Sequence, residues 1–409
     1  MSDTQASAVK EVSASPGRQR DGFEYNPVAP RIVWGQGSAF RLEEELDRLN
    51  APRVFIVCGR SVGASASFKS LRKRLGTRCV GVFAEVVPHT PRDNLAAAIA
   101  AARSANPDCI VTLGGGSVHD EGKLVALALA EGEDLDAFRV RWTDRRELFI
   151  PVPRQQKIPL IAIPTTLSAA EVVGAAAYVD GDSRYVIVDS GLLPKTMICD
   201  PTFAASTPRD VFLATGTNAI AHCVEAICSI RSQPISEGLA IGALRTLSKA
   251  LLDYAEDAGD LGAVQRAQIG ACMSGLAYTN TWLGIAHALC QALGARYRSA
   301  QGSLHAVILP HAMRFNFPAT EEKQQLVSWS LESAVGQRLP SPRPSDPSVL
   351  MEQFFRGPLR LPKRLRDLAI PNAELDLVAQ DAFVVWHTRF NPRKVESPEE
   401  LRRILEEAW

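Results

Sequence analysis

The chain lacks an excess of charge of either sign, because its 409 residues contain 45 lysines and arginines and 45 aspartates and glutamates. Proteins that bind nucleic acids or anionic membranes usually carry clustered positive charge, and no such cluster stands out here. No apolar run approaches the roughly 20 residues of a transmembrane helix. We therefore expect neither nucleic acid nor membrane as a partner.

The first residues also lack the apolar core of a secretory signal. Residues 1–22 are the polar stretch MSDTQASAVKEVSASPGRQRDG, which predicts a disordered leader and a cytoplasmic protein. None of the eight cysteines forms a CxxC pair, and several lie inside apolar runs such as FIVCG and DCIVTL. This placement predicts reduced thiols in the core.

The length suits two domains, and the two halves of the chain differ in pattern. In the first half, short apolar runs alternate with helical patterns, which predicts a Rossmann-like parallel sheet with helices on its faces. The strand candidates are Arg31–Trp34, Val54–Val57, Val80–Phe83, Cys109–Leu113 and Leu160–Ile163. We expect a dinucleotide-binding α/β domain over residues 23–200.

After Asp200 the patterns become helical, which predicts an all-α domain over residues 201–409 and an active site in the cleft between the domains. The helix candidates are Pro208–Leu213, Asn218–Ser229, Ser236–Ala255, Val264–Asn280 and Gly284–Gly294.

Two turns at predicted strand ends favour a nucleotide site. Gly114–Ser117 follows a strand and opens a helix, where bare backbone and a helix N-terminus attract phosphate. Ser117 and Asp120 also have the spacing of a capping box. The second turn, Ile163–Thr166, offers hydroxyl groups at another strand end, and ligands of open parallel sheets bind at those ends.

Several motifs occur in an order that resembles the iron-containing (group III) alcohol dehydrogenase family, and most closely its maleylacetate reductase branch. They are GGGSVHDEGK (114–123), IPTTLSAAEV (163–172), LLPKTMICDP (192–201), GTNAIAHCVEA (216–226), the segment 284–316 and Asn391-Pro392-Arg393. The resemblance covers residues 23–409 and implies the fold shared with dehydroquinate synthases.

The resemblance implies that a dinucleotide is bound by a set of residues in the two turns, namely Gly115, Gly116, Ser117, Thr165, Thr166 and Ser168. Asp120 and Lys123 would lie near the nicotinamide and ribose. Many relatives carry an aspartate after the second strand, where this chain has Gly59 and Arg60. With no carboxylate to repel a 2′-phosphate and an arginine to pair with it, we expect NADPH as well as NADH to bind.

The metal positions depart from the family. Asn218 and His222 lie four residues apart and share a helix face, and His287 lies on a later helix, a reasonable constellation for a metal. In metal-dependent relatives the set is one aspartate and three histidines, which correspond here to Asn218, His222, His287 and Gln301. Amides are poor ligands for Zn²⁺ or Fe²⁺. We therefore expect no tightly bound metal.

The proton-transfer positions also depart from the family. Gln291 stands where relatives have a histidine, and Ala286-His287-Ala288 replaces the His-His-Lys of maleylacetate reductases. A glutamine cannot titrate, so it cannot act as a general acid. The remaining candidates are His222, His287, His305, Lys123 and Tyr278. We expect His311 to be a structural residue at a helix start, and His89 and His119 to lie in surface turns.

Three functions stay open. The first is an NAD(P)H-dependent reductase of an activated carbonyl or conjugated oxo-acid, with His222 or His287 as proton donor and substrate carboxylates held by Arg184, Arg296 or Arg298. The second is a non-redox dehydratase, cyclase or isomerase on the same fold. The third is a protein that only binds nucleotide. The resemblance further implies a homodimer.

Overall fold

Six parallel strands form the central sheet of the first half of the chain. The structure, a computed structural model, describes residues 23–143, 147–297, 301–339, 341 and 343–409, without the side chains of Gln301 and Gln337. The predicted leader, Arg298 and the side chain of Gln301 therefore lie outside the described residues. The strands are β1 (Arg31–Trp34), β2 (Val54–Gly59), β3 (Cys79–Val86), β4 (Cys109–Gly114), β5 (Arg141–Trp142), β6 (Leu148–Phe149), β7 (Leu160–Pro164), β8 (Ala175–Asp180), β9 (Ser183–Val188) and β10 (Thr196–Cys199).

The order of strands in the main sheet is β1-β10-β7-β4-β2-β3, and all its pairs are parallel. From β2 the chain moves to one edge of the sheet, and from β4 it moves to the other. The switch between β2 and β4 opens a crevice at their C-terminal ends, which is where open α/β sheets bind ligands.

The helices of the first half cover both faces of this sheet. They are α1 (Leu42–Arg48), α2 (Arg60–Ala64), α3 (Ala66–Leu75), α4 (Arg92–Ala105) and α5 (Gly116–Glu131). On one face of the sheet, Leu95 of α4 and Leu124 of α5 are buried in an apolar layer. On the other face, Leu42 of α1 and Leu71 of α3 are buried in a second apolar layer. A parallel sheet needs this double cover, since both faces of its strands are apolar.

All five predicted strands are confirmed, but the sequence patterns missed three more strands of four to six residues. β8 and β9 form an antiparallel hairpin outside the main sheet. β10 is only four residues long and is inserted between β1 and β7. The segment that contains β10, LLPKTMICDP, was interpreted only as a family motif, and β10 was not predicted for that reason.

The second half is helical, as predicted, and no strand follows Cys199 within the described residues. Its helices are α6 (Pro201–Ala204), α7 (Arg209–Cys228), α8 (Pro234–Glu256), α9 (Leu261–Tyr278), α10 (Ile285–Tyr297), α11 (Gln301–Val335, kinked at Thr320), α12 (Pro347–Arg356), α13 (Leu375–Val384) and α14 (Pro398–Ala408). One continuous apolar core joins these helices.

Helix α7 corrects a prediction of two separate helices. Gly216 disfavours a helix by propensity, yet α7 runs through it without a break. A Cβ at Gly216 would come within 2.5 Å of the Leu251 side chain on α8, so close helix packing requires the glycine. By length and composition α7 could also cross a membrane, but 89% of its apolar window is buried inside the protein, as expected of a core helix.

All eight cysteines are free thiols, as the sequence predicted. Seven of them are buried, and Cys79 is half-buried. Burial raises the pKa of thiols such as Cys58 and Cys109 to about 12, which keeps them protonated and unreactive. The cysteines therefore serve packing.

The crossing of α7 and α11 depends on Gly302. A Cβ at this position would lie 1.9 Å from the carbonyl oxygen of Ala214, and the Gly302 carbonyl accepts a hydrogen bond of 2.7 Å from the Thr217 hydroxyl. Gly302→Ala must therefore push α11 away from the helix that carries Asn218. We predict a loss of at least about 3 kcal/mol in the free energy of unfolding.

Urea denaturation measures this loss, and Gly238→Ala is the matched control. Gly238 is exposed on α8, and no other heavy atom lies within 4 Å of the position that its Cβ would take. Its replacement should stabilise the protein by about 0.5–1 kcal/mol. Equal unfolding free energies for the two variants would contradict the packing described.

Glu121 is a buried acid on α5, and its burial makes stability depend on pH. Neither carboxyl oxygen has a hydrogen-bond partner among the described residues, and burial raises the pKa from 4.5 to about 8. Between these pH values the unfolded chain releases a proton that the folded protein retains. Rising pH therefore favours unfolding, by up to about 1.4 kcal/mol per pH unit.

Glu121→Gln removes this penalty. We predict that the variant melts at a higher temperature than the natural chain. The difference in melting temperature should widen from about pH 5 to pH 8 and stay constant above the raised pKa. Scanning calorimetry across this range is the measurement. The same change at the exposed Glu321 is the matched control, and a gain at Glu121 that stays constant with pH would refute the assignment.

Candidate active site

The two glycine- and threonine-rich turns lie side by side at the C-terminal edge of the sheet. Gly114 pairs with Pro164, and the Thr165 N–H donates to the Gly114 carbonyl at 2.9 Å. A Cβ at Gly115 would come within 3.0 Å of the Thr166 methyl group, and one at Gly116 within 3.2 Å of the Ser168 Cβ. Glycine at both positions therefore allows the turns to touch.

The features of these turns fit the phosphates of a dinucleotide. Helix α5 begins at Gly116 and carries no side-chain cap, so N–H groups of its first turn are available to an anion. The Thr166 hydroxyl is buried and has no partner in the described part of the chain. The residues that would hold a dinucleotide are Gly115, Gly116, Thr166 and Ser168.

The predicted capping box between Ser117 and Asp120 is wrong. The N-cap residue is Gly115, so Ser117 lies inside the first turn of α5. Its hydroxyl accepts a hydrogen bond of 2.9 Å from the His89 N–H, and its carbonyl accepts one from the Thr90 hydroxyl. Ser117 thereby fastens the turn after β3, in which His89 lies, to the glycine turn. We call the sheet edge formed by residues 114–117 and 163–168 the nucleotide edge.

The surface position predicted for His119 is also wrong. His119 lies on the face of α5 that packs on β4, and it is 1% exposed. Its Nδ1 is 2.8 Å from the Thr112 hydroxyl, and burial lowers its pKa to about 3.

Gly59 ends β2, and Arg60 begins α2 with an exposed side chain. Both residues lie at the same edge of the sheet as the glycine turn.

Lys123 fixes the loop that follows the second turn. Its ammonium group donates to the carbonyls of Ala170, Val173 and Ala175 at 2.5, 2.8 and 2.8 Å. Burial lowers its pKa to about 8. All three ammonium hydrogens are engaged, so the geometry suits a positioning residue better than the proton donor considered from the sequence.

Two carboxyl groups flank Lys123 near the cleft. Burial raises the pKa of Asp120, and it raises the pKa of Glu171 to about 7. The Ser168 hydroxyl donates to Glu171 at 3.3 Å. The Asp120 carboxylate lies 3.7 Å from the Arg184 guanidinium.

Four histidines from distant parts of the sequence meet in the helical domain beside this edge. The rings of His222 (α7) and His287 (α10) stack with centroids 4.8 Å apart, and His305 (α11) lies 4.2 Å from His287. His387, which precedes the Asn391-Pro392-Arg393 motif, lies 6.4 Å from His287. All four side chains are buried. We call these four residues the histidine cluster.

Glu225 orients His287. The His287 Nδ1 makes a short hydrogen bond with one Glu225 carboxyl oxygen, and the other oxygen accepts from the Ala286 N–H at 2.9 Å. Burial lowers the pKa of the His287 imidazole well below its ordinary value and raises that of Glu225. The His287 Nε2 is buried with no partner among the described residues.

His222 has weaker polar partners. Its Nε2 lies 3.4 Å from the Asn218 amide nitrogen, its Nδ1 lies 3.5 Å from the Ser274 hydroxyl, and its ring lies 4.4 Å from the Tyr278 ring. Burial lowers its pKa well below the ordinary value, and the neighbouring His287 lowers it further. Both histidines are therefore neutral in the free protein.

Glu225 and His387 were not among the site residues predicted from the sequence. Glu225 follows His222 by three residues and so points from the same side of α7, a spacing that could have drawn attention to it. His387 lies in a short 3₁₀ helix, Trp386–Phe390, which is too short to show a detectable period. Asn391, four residues later, ties this segment to α10 because its side-chain oxygen accepts from the Ile285 N–H at 3.2 Å.

The donor set does not fit the iron that the family name implies. Asn218 offers an amide beside the imidazoles of His222 and His287, and no group of three histidines, cysteines or carboxylates in the described ranges is arranged to hold a metal. Fe²⁺ and Zn²⁺ prefer imidazole, thiolate or carboxylate ligands. The side chain of Gln301, the fourth family position, lies outside the described residues.

Two sequence candidates lie away from the histidine cluster. Arg296 donates to Asp381 at 2.6 Å. His311 lies in the middle of α11, where the sequence predicts a helix start, and its ring is 3.3 Å from the Arg314 guanidinium. The prediction failed because α11 continues through Pro310, whose own position suggested a helix start.

Comparison with known proteins agrees with this architecture. Residues 29–201 match the model of the iron-containing alcohol dehydrogenases, and residues 212–409 match the C-terminal model of the Fe-containing alcohol dehydrogenase family. A maleylacetate reductase of Burkholderia cepacia is 27% identical over 95% of this chain and 98% of its own length. A 1,3-propanediol dehydrogenase of Klebsiella pneumoniae is 29% identical over 81% of this chain and 83% of its own.

Solved structures give the same answer. The crystal structure of maleylacetate reductase from Agrobacterium tumefaciens superposes with a TM-score of 0.77 at 27% identity, covering 95% of this chain and 98% of that one. These matches cover both halves of the sequence and agree with the parallel sheet and its helical partner domain. The chain is an oxidoreductase that belongs to the iron-containing alcohol dehydrogenase family.

Proposed function

We propose that the protein reduces an activated carbonyl or conjugated oxo-acid with NADH or NADPH, without a tightly bound metal. The observation that carries this proposal is the geometry of His287, whose Nδ1 is held by Glu225 while its Nε2 is left without a partner in the described part of the chain. A bound nicotinamide supplies the hydride. The residues of the chain must then stabilise the negative charge that develops on the substrate oxygen.

The pair of Glu225 and His287 is suited to that task as a neutral unit. Burial raises the pKa of the carboxyl and lowers that of the imidazole, which favours the form of the pair in which the proton lies on Glu225. The carboxyl then donates to Nδ1, and the imidazole carries its own proton on Nε2. As Nε2–H is transferred to the substrate oxygen, the Glu225 proton moves to Nδ1 and keeps the ring neutral.

The donor set at the family's metal positions supports the absence of a tight metal. An amide replaces a carboxylate at Asn218, and Gln301 replaces an imidazole in the sequence. Without a Lewis acid, the substrate must itself be activated. Maleylacetate, the substrate named by relatives at 27% identity, is activated by conjugation in this way. Simple aldehydes and primary alcohols should be poor substrates.

Arg60 supports acceptance of NADPH, because its side chain is exposed at the first residue after β2 and no acidic residue occupies the Gly59–Ser61 turn. A 2′-phosphate at this edge would meet a cation. The homodimer and the cytoplasmic location remain predictions.

A non-redox enzyme on the same fold is the second candidate. Gln291 and the alanines at 286 and 288 favour it, because they remove the side chains through which the family's relay is thought to pass. A buried acid–imidazole pair could equally serve elimination or isomerisation. The two candidates differ in one readout, since only the reductase oxidises NAD(P)H in step with substrate consumption.

His222→Ala and His287→Ala test the proposed chemistry. Removal of one donor to a developing oxyanion typically costs about 10²–10³ in rate, so each variant should lose turnover by that factor while the dissociation constant for NADPH stays nearly unchanged. Steady-state assays with maleylacetate and with short aldehydes, using both nucleotides, give the turnover, and fluorescence titration gives the affinity.

His311→Gln is the matched control, because His311 lies on α11 away from the histidine cluster. It should keep normal turnover. Full activity in both alanine variants would remove the proposed proton donors. A redox-neutral product formed without nicotinamide oxidation would favour the second candidate.

Metal analysis tests the proposal that the protein holds no tightly bound metal. We predict well under one iron or zinc per chain in protein purified without added metal. Asn218→Asp combined with Gln301→His restores the family's ligand types and should raise Zn²⁺ affinity by at least about 100-fold. Elemental analysis and calorimetric titration measure both quantities. A stoichiometric metal bound through His222 and His287 in the natural chain would refute the proposal.

A further inference from the structure

Arg184 brings a positive charge from the first domain to the histidine cluster. It lies on β9, and this strand packs against α10, the helix that carries His287. Its side chain is 19% exposed. Burial lowers the pKa of His287 and His387, and the charge of Arg184 lowers both further.

The hydrogen-bonding capacity of Arg184 is largely unused. Its Nε is buried without a partner among the described residues, and its nearest carboxylate oxygen, on Asp120, is 3.7 Å from Nη2. That distance is too long for a hydrogen bond. Burial also raises the pKa of Asp120, which weakens the negative charge opposite the guanidinium. A largely buried cation without a close anionic partner is costly, and an anionic ligand would lower that cost.

The other arginines considered from the sequence do not compete for this role. The Arg296 guanidinium already pairs with Asp381 at 2.6 Å, and Arg298 lies outside the described residues. Arg184 alone, among the described candidates, has a buried donor without a partner in the described residues, and its strand packs against α10, the helix that carries His287.

We propose that Arg184 binds a carboxylate group of the substrate and thereby selects oxo acids over neutral carbonyl compounds. This inference rests on the proposed function and adds a residue and a chemical class to it. The guanidinium matches a carboxylate with two parallel N–H donors, one of them the unpartnered Nε. A neutral aldehyde or alcohol would leave this donor buried and unsatisfied, and it would bind more weakly for that reason.

A binding experiment with an unreactive probe tests this proposal. Succinate carries carboxylates and cannot be reduced by a nicotinamide, and succinamide has the same shape without the charge. Isothermal titration of the full-length protein, saturated with NADPH, gives both affinities. We expect succinate to bind and succinamide to bind at least ten-fold more weakly. Arg184→Gln should weaken succinate binding by about 10- to 100-fold.

Two further variants complete the design. Arg296→Gln removes another arginine considered from the sequence, one that already pairs with Asp381, and this variant should bind succinate as the natural chain does. Arg184→Lys keeps the charge but loses the two-pronged geometry, so it should bind with intermediate affinity. If Arg184→Gln does not fold, the Lys variant decides, and unchanged succinate affinity in it would overturn the proposal.

The outcomes separate this proposal from the proposed function. Equal binding of succinate and succinamide, or full succinate affinity in a folded Arg184→Gln, overturns the role of Arg184 whatever the enzyme reduces. Succinate binding that depends on Arg184, together with no nicotinamide oxidation by any oxo acid, supports the carboxylate site and rejects the reductase.

Discussion

The contact between Glu225 and His287 is the constraint on which the site depends. Burial of either group without a partner would cost several kcal/mol in an apolar core. Each satisfies the other, and the Ala286 N–H satisfies the second carboxyl oxygen. The contact fixes α7 against the start of α10, and it leaves one imidazole nitrogen without a partner in the described residues. The His222 ring stacks on the His287 ring, and the His305 ring contacts it at a tilt.

The nucleotide edge is joined to that helical core by the second turn. The Pro164 carbonyl accepts from the Gln268 amide at 3.0 Å, and the Thr165 carbonyl accepts from the Thr207 hydroxyl at 2.8 Å. The Leu167 N–H donates to the Thr215 hydroxyl on α7 at 3.1 Å. These hydrogen bonds connect the end of β7 and the turn after it to two helices of the second half, α7 and α9, and to the short segment before α7. They hold the second turn in register with the helix that carries His222.

The sequence alone was sufficient for the fold class and for five strands of the main sheet, since each depends on local pattern and on motifs. It was not sufficient for Glu225 and His387, because their importance comes from contacts with residues far along the chain. His119 and Lys123 show the same limit. Their motif position identified the edge of the sheet correctly, but only packing decides that His119 faces β4 and that Lys123 is engaged by three carbonyls.

The central claim is that these residues support hydride transfer without a metal. A single-turnover reaction tests it most directly, with chelator-treated protein, NADPH that carries deuterium at the transferred position, and maleylacetate. We predict one deuterium in the reduced product, detected by mass spectrometry, at a rate unchanged by added Zn²⁺ or Fe²⁺. Product without deuterium, or turnover that appears only when metal is restored, would contradict it.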